Sequence, residues 1–187
     1  MKRVVLLACL ILLISSSAVF GFDGQRKGFV IGGGVGVSPG SSWKVDDTLL
    51  GVFPIKGSES RVGVAANLFL GYAWDEKNMI VYEFNGSGYE SDKINHKFQQ
   101  GFSGPAWYHY WGSKGSSLFT AFGLGLYALD IEDIKKFDPG PGVLFGVGYE
   151  FSRHLQIGVY LGGGKTSVGS LDVEHGHLSI VFNAVAF

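Results

Sequence analysis

Large apolar residues alternate with small or polar ones along most of this chain. From Val62 to Trp74 the even positions read Val62, Val64, Ala66, Leu68, Leu70, Tyr72 and Trp74, while the odd positions read Gly63, Ala65, Asn67, Phe69, Gly71 and Ala73. A period of two predicts a β-strand whose two faces meet different surroundings. The same alternation appears at Phe29–Val37, Leu118–Tyr127, Val143–Phe151 and Leu155–Leu161. With weaker runs near 78–85, 96–111 and 176–187, the pattern predicts eight strands.

The connections fall into two lengths. Asp75 to Lys77, Gly112 to Gly115 and Ser152-Arg153 are tight turns after the second, fourth and sixth strands, whereas 38–60, 86–95, 129–140 and 165–175 are longer. Short turns at one mouth and long connections at the other predict an all-β fold, an eight-stranded antiparallel up-and-down barrel.

Face chemistry decides the solvent. The non-apolar face is mostly Gly, Ala, Ser, Asn and Gln with few charges. A soluble exterior would carry roughly 25–35% charged residues. A face of small residues suits a narrow lumen crowded by side chains, so the apolar face meets lipid. The expected fold is a transmembrane barrel, and each strand is long enough to cross at a tilt.

On this reading the inward row holds Arg61, Asn67, Glu83, Lys97, Gln99, His109, Glu150, His154 and Gln156, with the rings of Phe69, Trp107, Phe119, Tyr127 and Tyr160. Buried charge needs partners, so these polar residues are expected to form a network. Glu150 and His154 flank one tight turn and are an expected pair, while Glu83 lies deeper with no assignable partner. On the lipid face Tyr72, Trp74, Tyr82, Phe98, Tyr108, Tyr110 and Trp111 are expected to form interfacial aromatic girdles.

The N-terminus belongs to another class of segment. Met1-Lys2-Arg3, the apolar run Val4–Ile14 and Ser15-Ser16-Ser17-Ala18 have the layout of a secretory signal peptide. The expected division is 1–21 signal peptide and 22–187 barrel, with cleavage after Gly21 or, second, Ala18. Cys9, the single cysteine, then leaves with the signal, and no disulfide supports the mature chain. Without Lys2 and Arg3, Lys plus Arg falls from 15 to 13 against 16 Asp plus Glu, a net charge of −3. No basic excess points to nucleic acid.

Several motifs imitate chemistry. Gly162-Gly163-Gly164-Lys165-Thr166 looks like the end of a phosphate-binding loop, but the required first glycine is Val159 and no helical period follows. Gly123 to Ala128 matches a dinucleotide fingerprint formally and fails for the same reason. His177-Leu178-Ser179 has a spacing that places both polar side chains on one strand face, like a base beside a hydroxyl. It resembles the dyad of barrel enzymes that deacylate lipid A, but no carboxylate follows to orient the histidine. His175 and His177 with Glu174 lack a further metal ligand. Asp130, Glu132, Asp133 and Asp138 lack calcium-loop spacing and interleave with Lys135 and Lys136. No catalytic residue, cofactor or metal is expected.

Four stretches carry a resemblance to a known family: "GFVIGGGVGVS", "QGFSGPAWYHYW", "LFTAFGLGLY" and "GVGYEFSRHLQIG". The chain resembles small bacterial outer-membrane β-barrels of the outer-membrane-protein-A-like and opacity-protein type. The resemblance implies location in the outer membrane of a Gram-negative-type bacterium after export. It also implies contact with outer-membrane lipid and lipopolysaccharide, delivery by barrel-assembly machinery, and surface loops able to meet a ligand or host component. Phe187 resembles the family's terminal aromatic assembly signal. The apolar row of the final strand, however, is Leu178, Ile180, Phe182 and Ala184, out of step with Phe187. Either a bulge shifts the last residues or Phe187 lies outside that register. A structural and surface-interaction scaffold is the leading functional expectation. A small diffusion channel comes second and a lipid A-modifying enzyme third.

Overall fold

The structure is a computed structural model that describes residues 26–45, 57–91, 96–113, 115–132, 137–168 and 171–187. The segment 1–21, Cys9, Asp133, Lys135 and Lys136 lie outside these residues. Eight strands run in chain order: β1 (Gly28–Val45), β2 (Gly57–Ala73), β3 (Asn78–Glu90), β4 (Lys97–Tyr110), β5 (Ser117–Ile131), β6 (Gly140–Ser152), β7 (Leu155–Val168) and β8 (Leu171–Ala186). Each pairs antiparallel with its chain neighbour, and β8 returns to β1 to close the barrel. Closure leaves no open sheet edge, as a lipid-embedded sheet requires.

The alternation sorts faces as its period dictates. Leu68 is 55% exposed on the outer wall, whereas its neighbour Phe69 is fully buried. Val62, Val64, Leu124, Phe145, Leu161 and Phe182 join Leu68 outside. Phe69, Phe119, Tyr127 and Tyr160 fill the interior. Glycines make this filling feasible: a Cβ on Gly32 would lie 2.2 Å from the Phe69 ring, and one on Gly148 would lie 2.3 Å from the Phe119 ring.

The long connections are shorter than the sequence suggests because the strands continue through them. β1 runs for 18 residues and β2 for 17, where about 9–11 suffice to cross a bilayer. Polar and glycine-rich stretches read as loop by composition, but backbone pairing is indifferent to side chain. Ser41–Val45 therefore pairs with Gly57–Arg61 and with Val173–His177. Lys165 and Thr166 likewise lie inside β7, paired to Glu174 and Val173. At the opposite mouth the β2–β3 turn is tied by Asp75, whose carboxylate accepts the Lys77 and Asn78 amides at 2.7 Å each.

One facing assignment changes, in β4, and the open facing of Phe187 in β8 is decided. In β4 the buried residues are Phe98, Phe102, Ala106, Tyr108 and Tyr110. Lys97, Gln99, Trp107, His109 and Trp111 face outward. Both rows of this strand mix rings with polar groups, so its own pattern is ambiguous. Register with β3 decides: Glu83 pairs with Gly104 and Tyr82 with Pro105, so even positions share the inward face of Glu83. In β8, Val181, Asn183 and Val185 face in, and Phe187 is buried with them. The β1–β8 register is unbroken from Ile180 to Ala186, so no bulge turns Phe187 outward.

Candidate functional site

The interior is the place where this fold concentrates polar chemistry, and it is built in layers. At the short-turn end lies Arg26, a residue outside every alternating run of the sequence. It stands two positions before β1 and is 1% exposed. Its Nε lies 3.1 Å from Glu150 Oε2, its guanidinium stands 4.1 Å from the Tyr110 ring centre, and an Nη donates to the Glu76 carbonyl. Glu150 also accepts the amide of Gly115, a residue at φ 75° in the β4–β5 turn. Tyr110 donates to Gln156 at 3.0 Å. One ion pair thus connects the segment before β1, two turns and β6. An isolated basic residue ahead of a strand carries no periodic signal, which is why alternation could not find it.

Glu150 therefore pairs with Arg26 and not with His154. His154 is exposed in the β6–β7 turn and donates through Nδ1 to the Val185 carbonyl at 2.9 Å. His109 also leaves the expected network. It lies outside against the Trp111 ring, 4.5 Å between centres, and Nδ1 shares a 2.9 Å hydrogen bond with Asn78 Oδ1. Trp107, expected inside, joins Trp111 on the outer wall, while Tyr108, Tyr110 and Phe98 leave the girdle for the interior. Tyr72, Trp74 and Tyr82 do lie on the outer wall. Tyr82 satisfies its lipid-side hydroxyl through Ser103 at 2.9 Å.

The middle layer surrounds Glu83. Tyr108 donates to Glu83 Oε1 at 2.8 Å, the Tyr108 and Tyr160 hydroxyls are 3.5 Å apart, and Asn183 Nδ2 donates to Tyr160 at 3.3 Å. Phe69 and Phe119 stack obliquely on Tyr108 with ring centres 5.7 and 5.6 Å away. The rings leave little free cross-section, as an eight-stranded barrel predicts.

Above it, His177 engages both ring nitrogens. Nδ1 meets the Tyr127 hydroxyl and Nε2 lies 2.8 Å from Asn85 Oδ1. Ser179 donates to the same Asn85 oxygen at 3.3 Å. His177 and Ser179 thus share a face and an acceptor, but the histidine does not address the serine. His175 Nδ1 shares a bond with Gln100 Oε1 at 3.0 Å. Among the described residues no three His, Cys, Asp or Glu side chains gather as metal ligands. Trp43, Phe98 and Tyr89 close this layer as a stack, with centres 6.2 and 5.2 Å apart.

At the rim of the long-connection end, charges lie on the outside in pairs. Lys97 meets Glu132 at 3.5 Å and Lys165 meets Glu174 at 2.6 Å, all well exposed. Lys97 therefore stands at this mouth on the outer wall, and not on the inward row. Arg61 remains on the inward-facing row, half-buried.

An antiparallel barrel that is closed, apolar outside and polar inside defines an integral membrane protein of the outer-membrane type. The chain belongs to the outer membrane protein beta-barrel domain family, which matches residues 5–183, and it resides in the outer membrane of a Gram-negative-type bacterium. Among solved structures it is similar to Neisserial surface protein A, at 14% identity and a TM-score of 0.51, over 83% of this chain and 96% of that one. It is also similar to Ail, the attachment invasion locus protein of Yersinia pestis, at 11% identity and a TM-score of 0.52, over 84% and 99%. At such identity these likenesses report the fold. No curated protein sequence matches significantly.

Proposed function

We propose that this protein is a non-enzymatic surface scaffold, a filled barrel that holds its long connections outside the cell. The observation that carries the reading is the pairing of β1, β2 and β8 beyond the apolar belt, through Trp43↔Glu59 and Trp43↔His175. A rigid wall continuing past the membrane supports the connections 46–56, 91–96, 132–139 and 169–170 as extracellular elements. Loops held on such a scaffold commonly carry binding. His177 favours a structural part over a catalytic one, since Tyr127 and Asn85 occupy both its nitrogens. Partners at the surface and lipopolysaccharide around the belt fit this arrangement.

Exchanging 46–56 and 132–139 for short Gly-Ser segments should leave membrane insertion intact and remove adhesion to host-cell or matrix surfaces. Exchanged protein that inserts and keeps full adhesion overturns the proposal. The second reading, a diffusion channel, is disfavoured by the layered rings and by the Arg26–Glu150 closure.

A further inference from the structure

We propose that the middle of the lumen binds a monovalent alkali cation between Glu83, Asn67 and Asn183. Glu83 is fully buried, and its Oε2 has no hydrogen-bond partner. Among the described residues no cationic side chain reaches it. Arg26 is committed to Glu150 one layer below. His177, one layer above, turns its nitrogens to Tyr127 and Asn85. A carboxylate in this position is half satisfied: Tyr108 donates to one of its two oxygens.

Two further oxygens share that layer. Asn67 and Asn183 are buried, and neither carboxamide oxygen has a partner. Both flank one glycine: Gly34 pairs with Asn67 across β2 and with Asn183 across β8. A Cβ at position 34 would lie 2.5 Å from Asn183 Oδ1, so the missing side chain is what gives this oxygen its room. Asn183 donates its NH2 to Tyr160, which holds the carboxamide plane and fixes its unpaired oxygen beside Gly34. Glu83 is the diagonal neighbour of Asn67, because Asn67 pairs with Asn85 and Phe69 pairs with Glu83. Diagonal inward neighbours stand ~7–8 Å apart at Cα, within reach of long side chains.

The layer holds three unpaired acceptor oxygens, Glu83 Oε2, Asn67 Oδ1 and Asn183 Oδ1, against one unpaired donor, the Asn67 NH2. An unfilled buried acceptor loses its hydration without replacement, and a charged one loses more. Oxygen-only ligands suit a hard cation. One carboxylate balances one positive charge, so a monovalent ion leaves the layer neutral while a divalent ion would leave it positive. The Tyr108 and Tyr160 hydroxyls border the same layer, 3.5 Å from each other. Since rings close the lumen above and below, the ion is captured as the barrel closes and exchanges slowly afterwards.

The test is refolding of the full mature chain into detergent micelles in sodium, potassium or choline chloride of equal ionic strength, followed by urea unfolding read by tryptophan fluorescence. Choline is too large for the site. At salt about ten times the dissociation constant, the wild-type unfolding constant should be about tenfold smaller in sodium or potassium than in choline. Glu83→Gln should abolish that difference. If Glu83→Gln fails to fold, Asn183→Ala and Asn67→Ala keep the carboxylate and should raise the half-saturating salt concentration. Equal stability of the wild type in all three salts overturns the proposal and assigns a proton to Glu83. A cation preference that persists in Glu83→Gln, or a half-saturating salt concentration unchanged in both asparagine variants, overturns it too by placing the ion elsewhere.

Discussion

Arg26 Nε lies 3.1 Å from Glu150 Oε2 with both side chains buried, joining a segment outside the strands to the floor of the barrel. The Tyr110 ring backs the guanidinium at 4.1 Å, and Arg suits such a site because its planar group stacks and donates in several directions at once. The short-turn mouth is therefore closed by a side chain that belongs to no strand.

Removing one member of this pair leaves a buried charge uncompensated, which typically costs about 3–5 kcal/mol. Arg26→Ala should lower barrel stability by that order in urea unfolding from lipid vesicles. Arg26→Met combined with Glu150→Gln should cost clearly less than the two single changes added together. Additive losses would show that the pair does not act as a unit.

Gly32 and Phe69 are matched in the same way that a hole matches a knob. A Cβ at Gly32 would enter the Phe69 ring at 2.2 Å, and overpacking of a filled core typically costs about 1–3 kcal/mol. Gly32→Ala should destabilise by that order, and adding Phe69→Leu should recover part of the loss. Recovery is the informative readout, because a loss of β1 pairing alone would not respond to position 69.

Leu68→Arg should impair insertion strongly, whereas Lys97→Ala should change little. Leu68 stands on the outer wall in mid-strand, where Arg costs about 2–4 kcal/mol. Lys97 is solvated at the rim beside Glu132, and such exposed pairs contribute about 0–1 kcal/mol. Folding yields in vesicles, read by heat-modifiable gel migration, compare the two directly.

Purified protein in a planar bilayer should give no stable single-channel steps. Phe69, Tyr108, Phe119, Tyr127 and Tyr160 are all fully buried within the lumen, and their rings interrupt any continuous water column. Reproducible steps that vanish on unfolding and shift with Glu83→Gln would establish a conducting path and favour the channel.

Sheet class, strand count and the outer wall were legible in the chain itself, because a period of two with an apolar row is a local property. Leu68, Leu124 and Phe145 could be placed outside without any partner in view. Inward Glu83, Tyr127 and Tyr160 followed from the same alternation. Three matters needed the folded barrel. β4 carries rings on both faces, so only its register with Glu83 and Tyr82 turned Tyr108 and Tyr110 inward and sent Lys97, Trp107 and His109 out. The extent of β1 and β2 past the apolar belt depended on backbone pairing, to which polar side chains are no guide. Arg26 meets Glu150 from far away in the chain, and strand periodicity is silent about a residue outside any strand. Local pattern chooses a face; only closure of the sheet chooses which buried groups meet.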